Sequence, residues 1–349
     1  MPDTLDVPGS REAHAPTLID GVIPMLDVSR WLAGDRSELA RLGSELRYAF
    51  ERVGFYYLRG HDVPQSLIDA MFAEAARFHA QPLEAKLAIR INEHNIGYMP
   101  IGGSLARSSK VNNNTRPSVN EALFFRRERA PDDPDVIANI RFRGLNQWPA
   151  GLPGFRDTVL AYMTAMESLG RRLMPIYAVA LDLPPDHFDA MFEKPNMIQR
   201  LTHYPPQQSY EENEFSIAPH TDSGFATFLA PSPVPGLSIR LPDGRWFDAP
   251  SIQGAFTVNG GDLLKRWTND RFLSTPHRVI NTSGRRRYAI PFFFDAHPDT
   301  LIECLPTCRS ANHPPKYEPI TYHDYALWYA RRNYVHLNHE DQADAPAGY

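Results

Sequence analysis

The chain has 349 residues, of which 42% are hydrophobic and 22% are charged, and its formal net charge is −5. This composition is that of an ordinary globular protein, and the length suits one large domain or two modest ones. The acidic balance and the absence of a long basic run argue against nucleic acid as the main partner.

The cysteine count and the hydropathy of the sequence indicate the cellular compartment to expect. The two cysteines, Cys304 and Cys308, are too few for a disulfide scaffold, and we expect them to be reduced and structural. No apolar run reaches the about 18 residues that a membrane span needs. The acidic, proline-broken residues 1–6 do not match a secretory signal. We therefore expect a cytoplasmic protein without a membrane partner; the sequence does not predict its oligomeric state.

The first half of the chain reads as helices mixed with a few strands. Residues 1–18 are polar and proline-bearing, which predicts a flexible arm. Residues 19–190 form an N-terminal region whose expected helices are 36–53, 64–81 and 154–181 and whose expected strands are 22–27, 55–58 and 120–125. Between them, residues 92–117 are rich in Gly, Ser and Asn, which is typical of a functional or mobile loop.

Residues 191–335 change to short apolar runs separated by turn residues. Strands are expected at 197–204, 225–230, 237–240, 245–249, 255–258, 278–281 and 288–294. Several strands at such spacing predict a β-sandwich or barrel. A last helix is expected at 322–333, before a loose tail over 336–349. The fold class is thus mixed α/β with a mainly-β core, in one co-operative unit.

A histidine and an aspartate stand two residues apart in this β-rich region. If His220 and Asp222 lie in a strand, their side chains point to the same face. An imidazole nitrogen and a carboxylate oxygen together favour a divalent first-row metal. The best third ligand is His277, at the start of another apolar run. Two histidines and one carboxylate would leave open positions on an iron; the alternative for His220 and Asp222 alone is an ordinary turn or capping pair.

Two further side chains are candidates for the same site. Arg287 follows His277 by ten residues, and in a hairpin it would lie on the adjoining strand, deep in the same cleft. A buried arginine needs an anion, and a carboxylate is its bidentate partner. A surface position is the alternative, since Arg285 and Arg286 precede it. Tyr204 could donate a hydrogen bond into the pocket or be an ordinary core tyrosine.

In this order and spacing, the motifs His220-Thr221-Asp222 and His277-Arg278-Val279 with Arg287 resemble the iron and 2-oxoglutarate-dependent oxygenases of the isopenicillin N synthase-like family. Residues 258–279 and 53–58 extend the resemblance, which covers residues 20–330. It implies a double-stranded β-helix (jelly roll) over 191–335, flanked by N-terminal helices and a C-terminal helix.

The resemblance also implies a chemistry. His220, Asp222 and His277 would hold Fe(2+), and Arg287 would bind the far carboxylate of 2-oxoglutarate with Tyr204 as a second donor. O2 is the other co-substrate, and ascorbate is a possible reductant. Such enzymes oxidise a small organic metabolite by hydroxylation, desaturation or cyclisation, and release succinate and CO2.

Two positions depart from the family pattern. Ala289 stands where the family usually has a serine that also bonds 2-oxoglutarate, and Thr202 stands where it often has asparagine. The loss of one hydrogen bond to a charged group costs about 1.5–3 kcal/mol. Ala289 therefore keeps open an oxidase or cyclase of the same fold that does not consume 2-oxoglutarate. A non-catalytic binding protein on this fold is the third hypothesis, against which the complete ligand set argues.

The substrate is poorly determined by sequence. Residues 101–115, 120–124 and 292–295 are expected at the pocket mouth. The charges of Arg107, Lys110 and Arg116 would suit a carboxylate-bearing small molecule, and a solvated loop is the alternative.

Overall fold

A computed structural model describes residues 16–207 and 209–337. Its α-helices are α1 (Ser29–Leu32), α2 (Leu39–Arg52), α3 (Gln65–His79), α4 (Leu83–Leu87), α5 (Pro134–Ile137), α6 (Phe155–Ala180), α7 (Asp262–Trp267) and α8 (Tyr322–Asn333). Short 3₁₀ turns lie at Arg36–Glu38, Ala190–Phe192, Pro306–Cys308 and Val335–Leu337.

The strands are short, as the spacing of the turn residues predicts. Those of the N-terminal region are β1 (Thr17–Ile19), β2 (Ile23–Asp27), β3 (Phe55–Arg59), β4 (Gly97–Met99) and β5 (Glu121–Arg126). They are followed by β6 (Asn196–Tyr204), β7 (Ile217–His220), β8 (Ala226–Leu229), β9 (Leu237–Arg240), β10 (Trp246–Asp248), β11 (Ala255–Gly260), β12 (His277–Val279), β13 (Arg287–Ala289), β14 (Pro291–Asp295), β15 (Leu301–Ile302) and β16 (Ile320–Thr321).

Two sheets form the β-core. The larger has the order β1-β2-β3-β11-β8-β14-β6-β5-β4, with β13 also on β6, and the smaller has the order β10-β9-β12-β7. Apolar side chains from both sheets meet between them; Leu237 and Ile239 of the small sheet, for example, pack with Phe55 and Tyr57 of the large one. Facing sheets bury one face of each strand, as in a jelly roll. The predicted fold class, a mixed α/β protein with a mainly-β jelly-roll core, is confirmed.

The N-terminal helices cover the outer face of the large sheet. Leu42, Leu46 and Phe50 of α2 are buried at helical spacing in the main core, which α6 shares. Close packing of α6 on β14 needs Gly170, because a Cβ there would lie 2.8 Å from the ring of Phe294. The back of the large sheet is thereby closed, and its other face is left for the small sheet.

The ends of the chain differ from their predicted limits. Strand β1 begins at Thr17, inside the predicted arm of 1–18, and Leu337 is buried inside the predicted tail of 336–349. Residues 1–15 and 338–349, which hold the rest of both predictions, lie outside the described residues. The division at residues 190 and 191 stays a prediction.

Two remaining expectations concern cysteine and hydropathy. Cys304 and Cys308 are both buried free thiols. Among the described residues, none of the helices combines the length and the apolar character needed to cross a bilayer.

Candidate active site

A cavity of about 160 Å³ lies between the two sheets. His220 and His277 reach it from the small sheet, and Tyr204, Thr202 and Arg287 reach it from the large one. The sandwich therefore brings together side chains that are far apart along the chain.

The three predicted metal ligands converge in this cavity. The Nε2 atoms of His220 and His277 each lie 3.7 Å from Oδ1 of Asp222. Two atoms that share one ion at about 2.1 Å can be at most about 4.2 Å apart, so these distances admit a common metal. The prediction that Asp222 lies in the same strand as His220 is wrong, however. Strand β7 ends at His220, and the carboxylate reaches the site from the turn that follows.

Backbone carbonyls fix the tautomer of both imidazoles. Nδ1 of His220 lies 2.8 Å from the oxygen of Ala218, and Nδ1 of His277 lies 3.2 Å from the oxygen of Thr275. A carbonyl oxygen only accepts, so each Nδ1 carries the hydrogen and each Nε2 turns a lone pair toward the cavity. Burial and the neighbouring His277 lower the pKa of His220 to about 4, which keeps that lone pair free near neutral pH.

The carboxylate of Asp222 is oriented by two neutral donors. Its Oδ2 accepts hydrogen bonds from Thr227 Oγ1 at 2.6 Å and from Asn259 Nδ2 at 2.8 Å. Burial opposes ionisation, but the two imidazoles and these hydrogen bonds outweigh it and lower the pKa of the carboxyl. Oδ2 is thus occupied, and the ionised Oδ1 faces the histidines.

The turn that carries Asp222 is clamped by the start of α7. The backbone N–H groups of Asp262 and Leu263 donate to the carbonyls of Asp222 and Ser223 at 2.7 and 3.1 Å. A Cβ at Gly261 would lie 2.3 Å from the carbonyl oxygen of Gly224, so only glycine fits between the two segments. Gly261 therefore serves the close packing of α7 against the turn that carries Asp222.

Arg287 enters the cavity from the sheet opposite His277. The predicted hairpin between their strands is wrong, because β12 pairs with β7 and β9, whereas β13 pairs with β6. The side chain is buried; its Nε donates to the carbonyl of Val234 at 3.1 Å, and its Nη1 has no partner among the described residues. A surface position is therefore excluded, and one donor of a buried cation is left for a ligand.

Tyr204 lies directly across from Arg287 in the β6–β13 register. The guanidinium carbon of Arg287 is 4.8 Å from the centre of the tyrosine ring, a cation–π distance. The ring thus forms a platform under the guanidinium. The hydrogen bond expected from its hydroxyl stays a prediction.

The rest of the cavity wall differs from the expected mouth. As far as the described residues show, none of residues 101–115 lines it, and Arg116 instead pairs with Glu211 at 2.5 Å. Phe124, Phe293 and Asp295 are in the wall as expected. Further wall residues that the sequence did not indicate include Arg126, Phe142, Arg200, Ala326, Tyr329, Ala330 and Tyr334.

A second cluster of His, Glu and His lies outside the cavity. Glu121 accepts hydrogen bonds from Lys86 Nζ at 2.7 Å, Tyr98 at 2.5 Å and His203 Nδ1 at 2.8 Å, with His79 at 3.6 Å. Its carboxylate oxygens already have donors, and a lysine ammonium competes with any metal ion. The cluster is a buried ion-pair network that joins α3, α4 and strands β4 to β6.

Removal of one partner from this network should destabilise the fold. We expect Lys86→Met to lower the free energy of unfolding by about 3–5 kcal/mol, because the buried carboxylate of Glu121 loses its counterion. Burial opposes ionisation of Glu121, but hydrogen bonds led by that from His203 lower its pKa. The wild-type stabilisation is therefore complete above the unfolded pKa of about 4.3 and is lost as the pH falls further. Denaturant titration at pH 7 measures the effect; Lys86→Met combined with Glu121→Gln should recover part of it, and an unchanged single variant would contradict it.

Comparison with known proteins agrees with this geometry. A family model described as the N-terminal region of the non-haem dioxygenase in morphine synthesis matches residues 23–151, and one described as the 2OG-Fe(II) oxygenase superfamily matches residues 195–296. The chain is 39% identical over 309 residues to the 2-oxoglutarate-Fe(II) type oxidoreductase hxnY of Emericella nidulans, across 86% of this chain and 87% of that protein.

Two further relatives support the same assignment. Kihadalactone A synthase LFS of Citrus sinensis is 32% identical over 292 residues, across 81% of this chain and 85% of that protein. The solved structure of a full-length Neurospora crassa protein in complex with alpha-KG and thymine superposes with a TM-score of 0.78 at 28% identity, across 91% of this chain and 99% of that chain. The chain therefore belongs to the isopenicillin N synthase-like family of 2-oxoglutarate/Fe(II)-dependent oxygenases, and it is a dioxygenase enzyme with Fe(2+), 2-oxoglutarate and O2 as its cofactor and co-substrates.

Proposed function

We propose that His220, Asp222 and His277 are the iron ligands of this oxygenase. The observation that carries the proposal is the convergence of two Nε2 lone pairs and one ionised Oδ1 within 4.8 Å of one another. Two imidazoles and one carboxylate form the donor set of non-haem Fe(II) oxygenases, which leaves positions for co-substrates. Iron with 2-oxoglutarate and O2 supplies the oxidising power, and the residues of the chain hold and aim the reactants.

Arg287 fits the far carboxylate of 2-oxoglutarate. Its unpartnered Nη1 is a buried, charge-assisted donor that only an acceptor in the cavity can satisfy. The ring of Tyr204 below the guanidinium restricts its movement, so less conformational entropy is lost when the anion binds. This contact would orient the keto-acid with its other end toward the histidines.

The primary substrate of this proposal is a small organic acid that the cavity holds beside the iron ligands. The wall from α8 and the large sheet encloses the space and keeps bulk water from the reacting C–H bond. Arg116, one of the loop cations that were expected to attract an acidic substrate, is paired with Glu211. The loop is therefore weaker evidence for an acidic substrate than the residues of the cavity wall are. Hydroxylation, desaturation and cyclisation are all compatible with this arrangement.

Anaerobic titration tests the proposal. Protein with one equivalent of Fe(II) should develop a weak charge-transfer band near about 500 nm when 2-oxoglutarate is added, because the keto-acid chelates an iron that has open positions. Admission of O2 should then release succinate. Iron binding without the band would contradict the assigned 2-oxoglutarate site, and failure to retain iron would contradict the ligand assignment.

A further inference from the structure

Strand β6 presents one row of side chains to the cavity. Alternate residues of a strand share a face, and the four that line the cavity are Ile198, Arg200, Thr202 and Tyr204. Tyr204 and Arg287 lie at one end of this row. Arg200 is four residues away, which is about 13 Å along an extended strand. A second guanidinium is therefore placed in a different part of the cavity from the first.

The guanidinium of Arg200 is held in place without being neutralised. Phe124 is its cross-strand partner on β5, and the guanidinium carbon lies 5.1 Å from the ring centre. Nη2 donates to the amide oxygen of Asn120 at 2.7 Å, which is a neutral acceptor, and Nε is buried without a partner among the described residues. Arg126, the other arginine of this part of the wall, instead donates its Nε to the carbonyl of His94 at 2.9 Å.

We propose that Arg200 binds a carboxylate of the primary substrate; this rests on the proposed function. A partly buried cation is unfavourable unless an anion meets it, and a carboxylate matches the guanidinium geometry. Phe124 and Phe293 supply apolar surface beside it. The substrate class is thus a small acid with an apolar, ring-sized body, whose acidic group lies away from the Arg287 end.

Matched acids and amides test this proposal. Anaerobic calorimetry on protein saturated with Fe(II) and 2-oxoglutarate should show that benzoate binds at least about tenfold more tightly than benzamide, since a charge-assisted hydrogen bond is stronger than a neutral one. Arg200→Met should remove this preference and Arg200→Lys should keep part of it. Arg116→Gln, which alters the exposed loop cation, should leave it unchanged.

The outcomes separate this proposal from the proposed function. The 2-oxoglutarate charge-transfer band is recorded first in the same sample. If the wild-type protein shows no band, the result counts against the proposed function. With the band present, equal affinity for benzamide, no binding of benzoate, or an unchanged preference in Arg200→Met would overturn the role of Arg200. If a variant does not fold, the affinities of the wild-type protein for benzoate and benzamide still test the proposal.

An independent observation concerns Thr202. Its hydroxyl is fully buried and unpartnered among the described residues, and the residue lines the cavity two positions before Tyr204. The residue directly across from it is Ala289, two positions after Arg287. A buried hydroxyl without a hydrogen-bond partner is destabilising, so a ligand that accepts from it is favoured. We infer that Thr202 donates to the same 2-oxoglutarate carboxylate as Arg287 and so supplies the hydroxyl that Ala289 lacks.

A rescue experiment tests this inference by direct binding. Thr202→Val, which keeps the shape, should raise the Kd for 2-oxoglutarate in the anaerobic band titration about tenfold. Iron affinity should stay unchanged, and the unfolding midpoint of the ligand-free protein should not fall, because the hydroxyl that is lost has no partner there. Adding Ala289→Ser, on the facing strand, should restore most of the affinity. An unchanged Kd in Thr202→Val would overturn the inference, as would a double variant no better than the single one.

Discussion

Asp222→Ala is expected to abolish iron binding at micromolar iron and to lower turnover by on the order of 10³-fold or more. The carboxylate is the single anionic ligand of the proposed set, and it lies 3.7 Å from both Nε2 atoms. Without it, two neutral imidazoles hold a dication. Equilibrium dialysis with Fe(II) measures the first effect, and succinate release measures the second.

Two variants control this result. Asp243→Ala removes a carboxylate from an exposed turn, where it bonds Arg245, and should leave both measurements unchanged. Thr227→Val removes one of the donors that orient Asp222 and should weaken iron binding by about 10–100-fold. Full activity or normal iron retention in Asp222→Ala would contradict the ligand assignment.

Arg287→Met is expected to raise the Kd for 2-oxoglutarate by roughly 100-fold or more, because a buried charge-assisted donor and its positive charge are both lost. Iron affinity should not change, since the side chain reaches the cavity from the other sheet. The anaerobic band, titrated with 2-oxoglutarate, gives the Kd directly.

The neighbouring arginine supplies a matched control for this variant. Arg286 is exposed, so Arg286→Met should bind 2-oxoglutarate as the wild type does. An unchanged Kd in Arg287→Met would remove the role assigned to Arg287. Equal losses in both variants would indicate a general effect of charge and contradict a specific contact.

The sequence predicted which residues would meet, because the identities and order of His220, Asp222 and His277 carry that information. It did not predict how they meet. Strand β7 stops at His220, and Asp222 reaches the site from a turn that α7 clamps. Likewise Arg287 lies on the sheet opposite His277, since strand pairing across a sandwich is a long-range property that local periodicity does not encode.

The substrate side of the cavity was the least predictable part. Alternation along β6 is equally consistent with Arg200 on either face, and only the position of the small sheet decides between them. The part of the wall that α8 forms depends on where this helix packs, and α8 lies more than a hundred residues after β6 in the sequence. The loop of residues 101–115, by contrast, was expected at the pocket mouth, but its composition reflects local polarity and says little about what the loop contacts.

The assignment of the iron ligands is tested by a crystal structure with Fe(II) and 2-oxoglutarate, from crystals grown anaerobically and with data recorded at the iron absorption edge. We predict one strong anomalous peak about 2.1 Å from His220 Nε2, Asp222 Oδ1 and His277 Nε2, with the far carboxylate of 2-oxoglutarate on Arg287. An iron peak at the cluster of His79, Glu121 and His203, or a peak that lacks any one of the three proposed ligands, would show that the assignment is wrong.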